Sequence, residues 1–74
     1  MSDLITAEVL AALKSIRRRA KVSQTTMARA FGSGRAATVS DWETGRSKMT
    51  LAQLCVYLNE CGSSLEELAE EVAP

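Results

Sequence analysis

The sequence has no histidine, a single proline at its last position, and one residue each of tryptophan, tyrosine and phenylalanine. The absence of histidine removes the side chain most often used as a general base and as a metal ligand. The acidic pairs lie on one predicted terminal helix rather than around a pocket, and no GxxxxGK[ST] phosphate loop is present. We therefore predict that the chain is not an enzyme and that it binds no metal and no cofactor.

Cysteines and long apolar runs are also scarce. Cys55 and Cys61 are six residues apart, which is neither a zinc-ligand spacing nor a CxxC redox pair, so we interpret them as reduced structural residues. The N-terminal apolar stretch is interrupted by Glu8 and Lys14 and follows no basic segment. It predicts neither a membrane span nor a signal peptide, and the expected location is the cytoplasm.

The formal net charge of zero conceals a strong separation of charge. Residues 1–16 have a net charge of −1, residues 17–49 have eight basic and two acidic side chains, and residues 50–74 have five glutamates and no base. A basic middle segment is typical of a protein that binds a polyanion, although solvated helix faces would give the same pattern.

The 74 residues predict one all-α domain, a compact bundle of five helices without internal repeats. Helical spacing of apolar residues predicts helices over about 7–20, 24–31 and 34–44, and two more within about 50–73, separated at Gly62. Ser63 and Glu66 have the spacing of a capping box at the start of the fifth helix. The predicted core face of the fourth helix consists of Leu51, Leu54, Cys55, Leu58 and Cys61.

The segment from 23 to 45 is the one around which the chain is organised. Ser23 is placed to cap a short helix, and the glycines at 32 and 34 interrupt that helix. A second helix follows with Val39 and Trp42 on its apolar side, and Gly45 ends it. The side chains on its other side are mostly small or polar, which would let this helix enter a groove of a binding partner.

This segment resembles the helix-turn-helix of the phage-repressor and Cro (XRE-like) family of bacterial DNA-binding domains, and the resemblance extends from about Leu10 to Leu68. Two features depart from the family pattern. The turn is one residue longer than in the family, and Thr26 stands at a position where the family often has a glutamate. The residues that match the family pattern are Gln24, Ala28, Phe31-Gly32, Val39 and Trp42-Glu43-Thr44-Gly45-Arg46.

The resemblance implies a lambda-repressor-like fold and a transcriptional regulator, typically a repressor, that binds a palindromic operator in double-stranded DNA as a homodimer. Phage Cro-type repressors and restriction–modification controllers both fit, so a bacterial or phage origin and location at the nucleoid are expected. An alternative is an antitoxin-like module whose main partner is a toxin. A third reading, in which the fold is kept without DNA binding, conflicts with the basic middle segment.

The expected DNA contacts fall into two sets. The base-reading set lies on the third helix, where Arg35 could bond guanine or, in an alternative reading, a phosphate. This set is Arg35, Ala36, Ala37, Ser40 and Asp41. The backbone set is Gln24, Thr25, Arg46, Ser47, Lys48 and Arg17. The resemblance also implies that Arg17 forms a structural ion pair with Glu43.

A dimer would bury the remaining apolar surface of the last two helices. The alternative is a monomer with Tyr57 on the surface. The predicted dimer contacts are Val56, Tyr57, Leu65, Leu68 and Val72.

Overall fold

In a computed structural model that describes residues 6–72, these residues form five α-helices and no strand. The all-α prediction is confirmed for these residues, and the predicted end of the last helix at about 73 lies outside them. The helices are α1 (Ala7–Arg19), α2 (Gln24–Ala30), α3 (Ala36–Glu43), α4 (Leu51–Glu60) and α5 (Leu65–Val72).

The starts of α2 and α4 are set by side-chain caps. The hydroxyl of Ser23 accepts a hydrogen bond from the backbone N–H of Thr26 at 3.0 Å, as predicted. At α4, Thr50 accepts from the N–H of Gln53 while the Gln53 side chain accepts from the N–H of Thr50. This reciprocal arrangement is a capping box, and it fixes where α4 begins.

The predicted cap of α5 is wrong by one residue. Ser64, not Ser63, accepts from a backbone N–H, that of Glu67 at 3.2 Å. The hydroxyl of Ser63 instead donates to the Glu67 side chain at 3.1 Å, and no capping box joins Ser63 to Glu66. Adjacent serines followed by adjacent glutamates offer two registers for the cap, and the structure adopts the later one.

The turn between α2 and α3 depends on glycine. Gly32 and Gly34 have φ angles of 74° and 68°, in the left-handed region that side chains with a Cβ disfavour. The predicted interruption of the helix at these positions is confirmed. The chain reverses here within a few residues, so that α3 returns to pack against α2.

The core contains side chains from all five helices. Leu13, Met27, Val39, Tyr57 and Leu58 are the largest fully buried side chains. Helix α1 packs against α3 and α5, and α2 packs against α3 and α4. The core therefore lies between α1 and the α2–α3 pair, and α4 and α5 cover it.

The inward face of α4 differs from the predicted one. Leu54, Tyr57 and Leu58 are buried, whereas Leu51 is 62% exposed and Cys55 is also exposed. Positions 54, 57 and 58 form a helical stripe as regular as the predicted one, and the fully buried Tyr57 ring occupies it. Leu51 and Cys55 consequently lie on the outer side of the helix.

None of the helices within residues 6–72 is long and apolar enough to cross a membrane.

Candidate nucleic-acid interface

Helix α3 is held against α2 by its apolar side. Val39 is fully buried and Trp42 is 6% exposed. The Trp42 ring meets Phe31 edge to face, with ring centroids 4.7 Å apart and planes inclined at 68°. Fixing one side of α3 in this way leaves its opposite side at the surface in a defined orientation.

The predicted base-reading residues lie at the start of α3 and along its outer side. Arg35 and Ala37 are exposed, whereas Ala36, Ser40 and Asp41 are partly buried. The prediction that the third helix starts at about 34 is wrong, because Arg35 has an extended conformation and α3 begins at Ala36. Arg35 therefore precedes the helix as its N-cap residue.

The backbone before α3 is stabilised by a serine in the turn. The hydroxyl of Ser33 accepts from the backbone N–H of Arg35 at 3.3 Å and is 3.1 Å from the hydroxyl of Thr38. Arg35 itself makes no side-chain cap bond. The position of the Arg35 backbone is thus fixed by Ser33, while its guanidinium group is at the surface.

One carboxylate joins four helices beneath this surface. Glu43, the last residue of α3, accepts from Arg17 Nε at 2.6 Å and from Arg17 Nη2 at 3.2 Å. It also accepts from the Gln24 amide at 3.2 Å and from the Tyr57 hydroxyl at 2.5 Å. We call Arg17, Gln24, Glu43 and Tyr57 the Glu43 network; it connects α1, α2, α3 and α4.

The Arg17–Glu43 ion pair implied by the family resemblance is present and is nearly removed from solvent, with side-chain exposures of 9% and 3%. Burial disfavours ionised Glu43, but hydrogen bonds from Arg17, Tyr57 and Gln24 outweigh it and lower the pKa of this carboxyl. The pair raises the pKa of Arg17, and burial raises that of Tyr57. Glu43 is therefore ionised and Tyr57 protonated near neutral pH.

Two predicted backbone contacts change role in the structure. Arg17 is 7% exposed, and its Nη1 donates to the carbonyl oxygen of Val22 at 2.8 Å in addition to the bonds with Glu43. All three guanidinium nitrogens of Arg17 are bonded inside the protein, so its established role is structural, and its contact with DNA stays a prediction. The Gln24 amide donates to Glu43, so Gln24 orients α3 in this conformation rather than extending toward a phosphate.

The remaining predicted backbone contacts are at the surface. Arg46, Ser47 and Lys48, which we call the basic loop, are exposed, as is Thr25. The backbone N–H groups of Arg46 and Ser47 donate to the carbonyl oxygen of Asp41 at 2.8 and 3.1 Å. The basic loop is thereby attached to the end of α3, next to the residues predicted to read bases.

Two of the predicted dimer contacts are wrong. Tyr57 is fully buried and Leu68 is 6% exposed, so both belong to the core of a single copy. The Tyr57 hydroxyl finds its partners within the chain, in Glu43 and in the carbonyl oxygen of Leu13 at 3.3 Å. Val56 and Leu65 are exposed and Val72 is partly buried, so these three stay available.

Tyr57 belongs to the Glu43 network, a role that was not predicted from the sequence. A signal was present, because a tyrosine at a helical position between apolar residues needs a hydrogen-bond partner for its hydroxyl if it is buried. The basic middle segment contains two acidic side chains that could accept this hydrogen bond, Asp41 and Glu43.

Basic and acidic surfaces meet where α1 ends. Arg19 pairs with Glu71 of α5 at 2.5 Å, with side-chain exposures of 62% and 31%. Beside this pair, Lys14 and Arg18 line a shallow groove of about 390 Å³ on α1.

Within residues 6–72, no group of three or more potential ligands could hold a metal ion.

Comparisons of this chain with family models, with curated proteins and with solved structures each found no match.

Proposed function

We propose that this protein is a sequence-specific regulator of transcription, acting as a repressor, that binds double-stranded DNA through a helix-turn-helix formed by α2 and α3. The observation that supports this most directly is the relation between the Glu43 network and the surface above it. Side chains of three other helices, α1, α2 and α4, hold the end of α3 from below, while its outer side and the basic loop are at the surface. A helix that reads bases needs such rigid support.

In this proposal α3 enters the major groove. Arg35 contacts guanine O6 and N7, and the small side chains of Ala36 and Ala37 allow the helix to approach the base edges and the thymine methyl groups. Ser40 and Asp41 contribute polar groups on the same helix. The basic loop and Thr25 contact phosphates, which position the domain without reading sequence.

Two copies would read an operator with dyad symmetry, with half-sites about one helical turn, or roughly 34 Å, apart. The phosphate contacts release counterions, so binding is expected to weaken steeply as salt rises. Cro-type repressors and restriction–modification controllers both act in this way.

The test is selection of bound sequences from a random duplex pool, followed by titration of salt on the selected site. A palindromic site with a steep salt dependence supports the proposal. Folded protein that enriches no sequence would contradict it. The same titration on an unrelated duplex separates sequence reading from general attraction to phosphates.

The alternative, an antitoxin-like module that binds a toxin, is favoured by one observation: Leu51 and Val56 leave apolar surface on α4. Such a module would be expected to co-purify with its partner and to be poorly soluble alone. Expression of the chain by itself, with light scattering on the product, distinguishes it from a self-sufficient regulator.

A further inference from the structure

A serine hydroxyl in the turn before α3 links Arg35 to the first turn of that helix. The Ser33 hydroxyl accepts from the backbone N–H of Arg35 at 3.3 Å and lies 3.1 Å from the hydroxyl of Thr38. A hydroxyl can donate one hydrogen bond and accept two, so both contacts are satisfied at once whichever of the two hydroxyls donates. One side chain therefore joins the residue that precedes α3 to α3 itself.

The start of α3 needs this serine because Arg35 is a poor N-cap residue. The N-cap side chain of a helix commonly accepts from a free backbone N–H in the first turn, as Ser23 does for α2. The arginine side chain has donors and no acceptor, and Arg35 makes no such bond. Ser33 stabilises the same junction from two residues earlier, through its bond to the Arg35 N–H.

The backbone on both sides of Ser33 has little rigidity of its own. Gly32 and Gly34 flank it with φ angles of 74° and 68°, and glycine has the widest choice of backbone conformations. The N–H groups of Ser33 and Gly34 donate to the carbonyl oxygen of Ala28 at 3.1 and 3.4 Å, which attaches the turn to α2. The Ser33 hydroxyl extends this attachment to α3, across the second glycine.

The backbone conformation of Arg35 matters because its side chain is long. Arg35 is extended, with φ −112° and ψ 111°, and it lies one residue before α3. A small rotation there moves the guanidinium group over a large distance. Bonds to guanine O6 and N7 require both arms of that planar group to be aligned with the base, whereas a phosphate offers acceptor oxygens in several directions. Loss of backbone order at Arg35 would therefore weaken base recognition most.

We propose that Ser33 is a positioning residue for base recognition, and that the base preference of Arg35 depends on the Ser33 hydroxyl. Ser33 itself touches no base in this arrangement and acts through Arg35. The inference rests on the proposed function and adds to it a residue on which specificity depends.

The first experiment measures base preference in variants of Ser33. The operator selected from the random pool is changed at each base pair in turn, and fluorescence anisotropy identifies the base pair at which Arg35→Ala loses its preference. Ser33→Ala should reduce the preference at that same base pair by about 2- to 10-fold, the effect of one neutral hydrogen bond. Preferences elsewhere should be unchanged, and Ser33→Thr, which keeps a hydroxyl, should behave like wild type.

The matched control is Ser63→Ala. Ser63 lies in the turn before α5, follows a glycine with a φ angle of 68°, and is partly buried like Ser33. Its hydroxyl donates to the Glu67 side chain at 3.1 Å. The control thus removes a comparable hydroxyl outside the helix-turn-helix, and every base preference should be retained. Melting curves from circular dichroism verify that each variant is folded at the temperature of the binding assay.

A double variant distinguishes positioning from a general structural role. If Ser33 acts through Arg35, Ser33→Ala should cause no further loss of base preference in an Arg35→Ala background. A merely structural serine would lower the affinity for all sequences by the same factor, whether or not Arg35 is present.

The second experiment needs no DNA. The bond to Ser33 should slow the exchange of the Arg35 amide hydrogen with solvent, and the NMR order parameter of that amide should resemble those within α3. Ser33→Ala should speed the exchange and lower the order parameter, whereas Ser63→Ala should change neither. Identical exchange in wild type and Ser33→Ala would overturn the inference.

The outcomes separate this inference from the proposed function. If wild type selects an operator but Ser33→Ala keeps its full preference, or loses affinity equally for all sequences, the inference is wrong and the regulator stands. If wild type selects no sequence, the regulator is contradicted, and the base-reading role of Ser33 is lost with it even where NMR shows that Ser33 orders the Arg35 backbone.

Discussion

The hydroxyl of Tyr57 donates a 2.5 Å hydrogen bond to Oε2 of Glu43, the same oxygen that accepts from Arg17 Nε. This bond joins the middle of α4 to the last residue of α3. The orientation of α3 is therefore determined by the opposite side of the core as well as by α2.

Substitution of the buried Glu43 should lower the free energy of unfolding far more than substitution of a glutamate in an exposed ion pair. Glu43→Ala leaves the Arg17 charge buried without its acceptor, and we expect a loss of about 3 kcal/mol in the free energy of unfolding. For a domain of this size the melting temperature should fall by more than about 10 °C. Thermal denaturation followed by circular dichroism measures it.

The control for this prediction is Glu71→Ala. It breaks an ion pair of similar length at the surface, and the expected cost is below about 1 kcal/mol because water already screens that pair. Equal melting temperatures for the two variants would contradict a structural role for the Glu43 network.

Tyr57→Phe should destabilise the protein through the lost hydroxyl alone. The ring stays in the core, and the expected loss is about 1.5–3 kcal/mol, the usual contribution of one hydrogen bond to a charged group. Urea denaturation should show a smaller effect of Tyr57→Phe in a Glu43→Ala background, because the main acceptor is already absent. Strictly additive losses would mean that the two side chains do not act together.

Stability should depend on pH through Glu43. The pKa of this carboxyl lies below its ordinary value of 4.5 in the folded protein. Its contribution is therefore complete above that value and is lost as the pH falls through the lower folded-state pKa. The melting temperature of wild type should drop between about pH 5 and pH 3 more than that of Glu43→Gln, whose amide does not titrate.

Both proteins keep every other carboxylate, so the difference between their two pH curves isolates Glu43. Parallel curves would show that its folded-state pKa is not lowered.

Arg35→Ala should weaken binding to a selected operator by about 1–3 kcal/mol and leave binding to random DNA nearly unchanged, if Arg35 reads a base. Fluorescence anisotropy on both duplexes measures this. Lys14→Ala is the charge-matched control, because Lys14 is an exposed base on the outer side of α1. An equal loss on both duplexes would assign Arg35 to a phosphate, the alternative reading of this residue.

The two cysteines should differ in reactivity. Cys55 is exposed, whereas Cys61 is partly buried and its burial raises the pKa of the thiol, which keeps it protonated. A disulfide reagent near pH 8 should modify wild type in a fast phase and a slow phase. Cys55→Ser should retain only the slow phase, and a fast phase in this variant would be inconsistent with the structure.

The sequence was sufficient to predict features that depend on neighbouring residues. Ser23 caps α2, the glycines at 32 and 34 have positive φ angles, and Val39 and Trp42 are buried together. Each follows from local chemistry. A serine hydroxyl accepts a hydrogen bond from a free backbone N–H at a helix start, glycine adopts positive φ angles readily, and residues three apart share a helix face.

The orientation of α4 could not be predicted in this way. Two overlapping apolar stripes are present, and the one that faces inward is selected by partners distant in sequence, namely Glu43 and the Leu13 carbonyl for the Tyr57 hydroxyl. As a result Tyr57 is buried and Leu51 is exposed, the reverse of the prediction. Whether α3 reads DNA is not a matter of local pattern either, and it remains a prediction.

The bonds of the Glu43 network connect residues separated by 14, 19 and 26 positions along the chain. The bonds from Arg17 and Tyr57 need α1 and α4 in place, so a peptide limited to α2 and α3 would keep only the bond from Gln24. If the proposed function holds, the apparent DNA affinity decreases in proportion to the fraction of folded chains. On warming toward the melting temperature, operator occupancy would then fall as steeply as the folded fraction does.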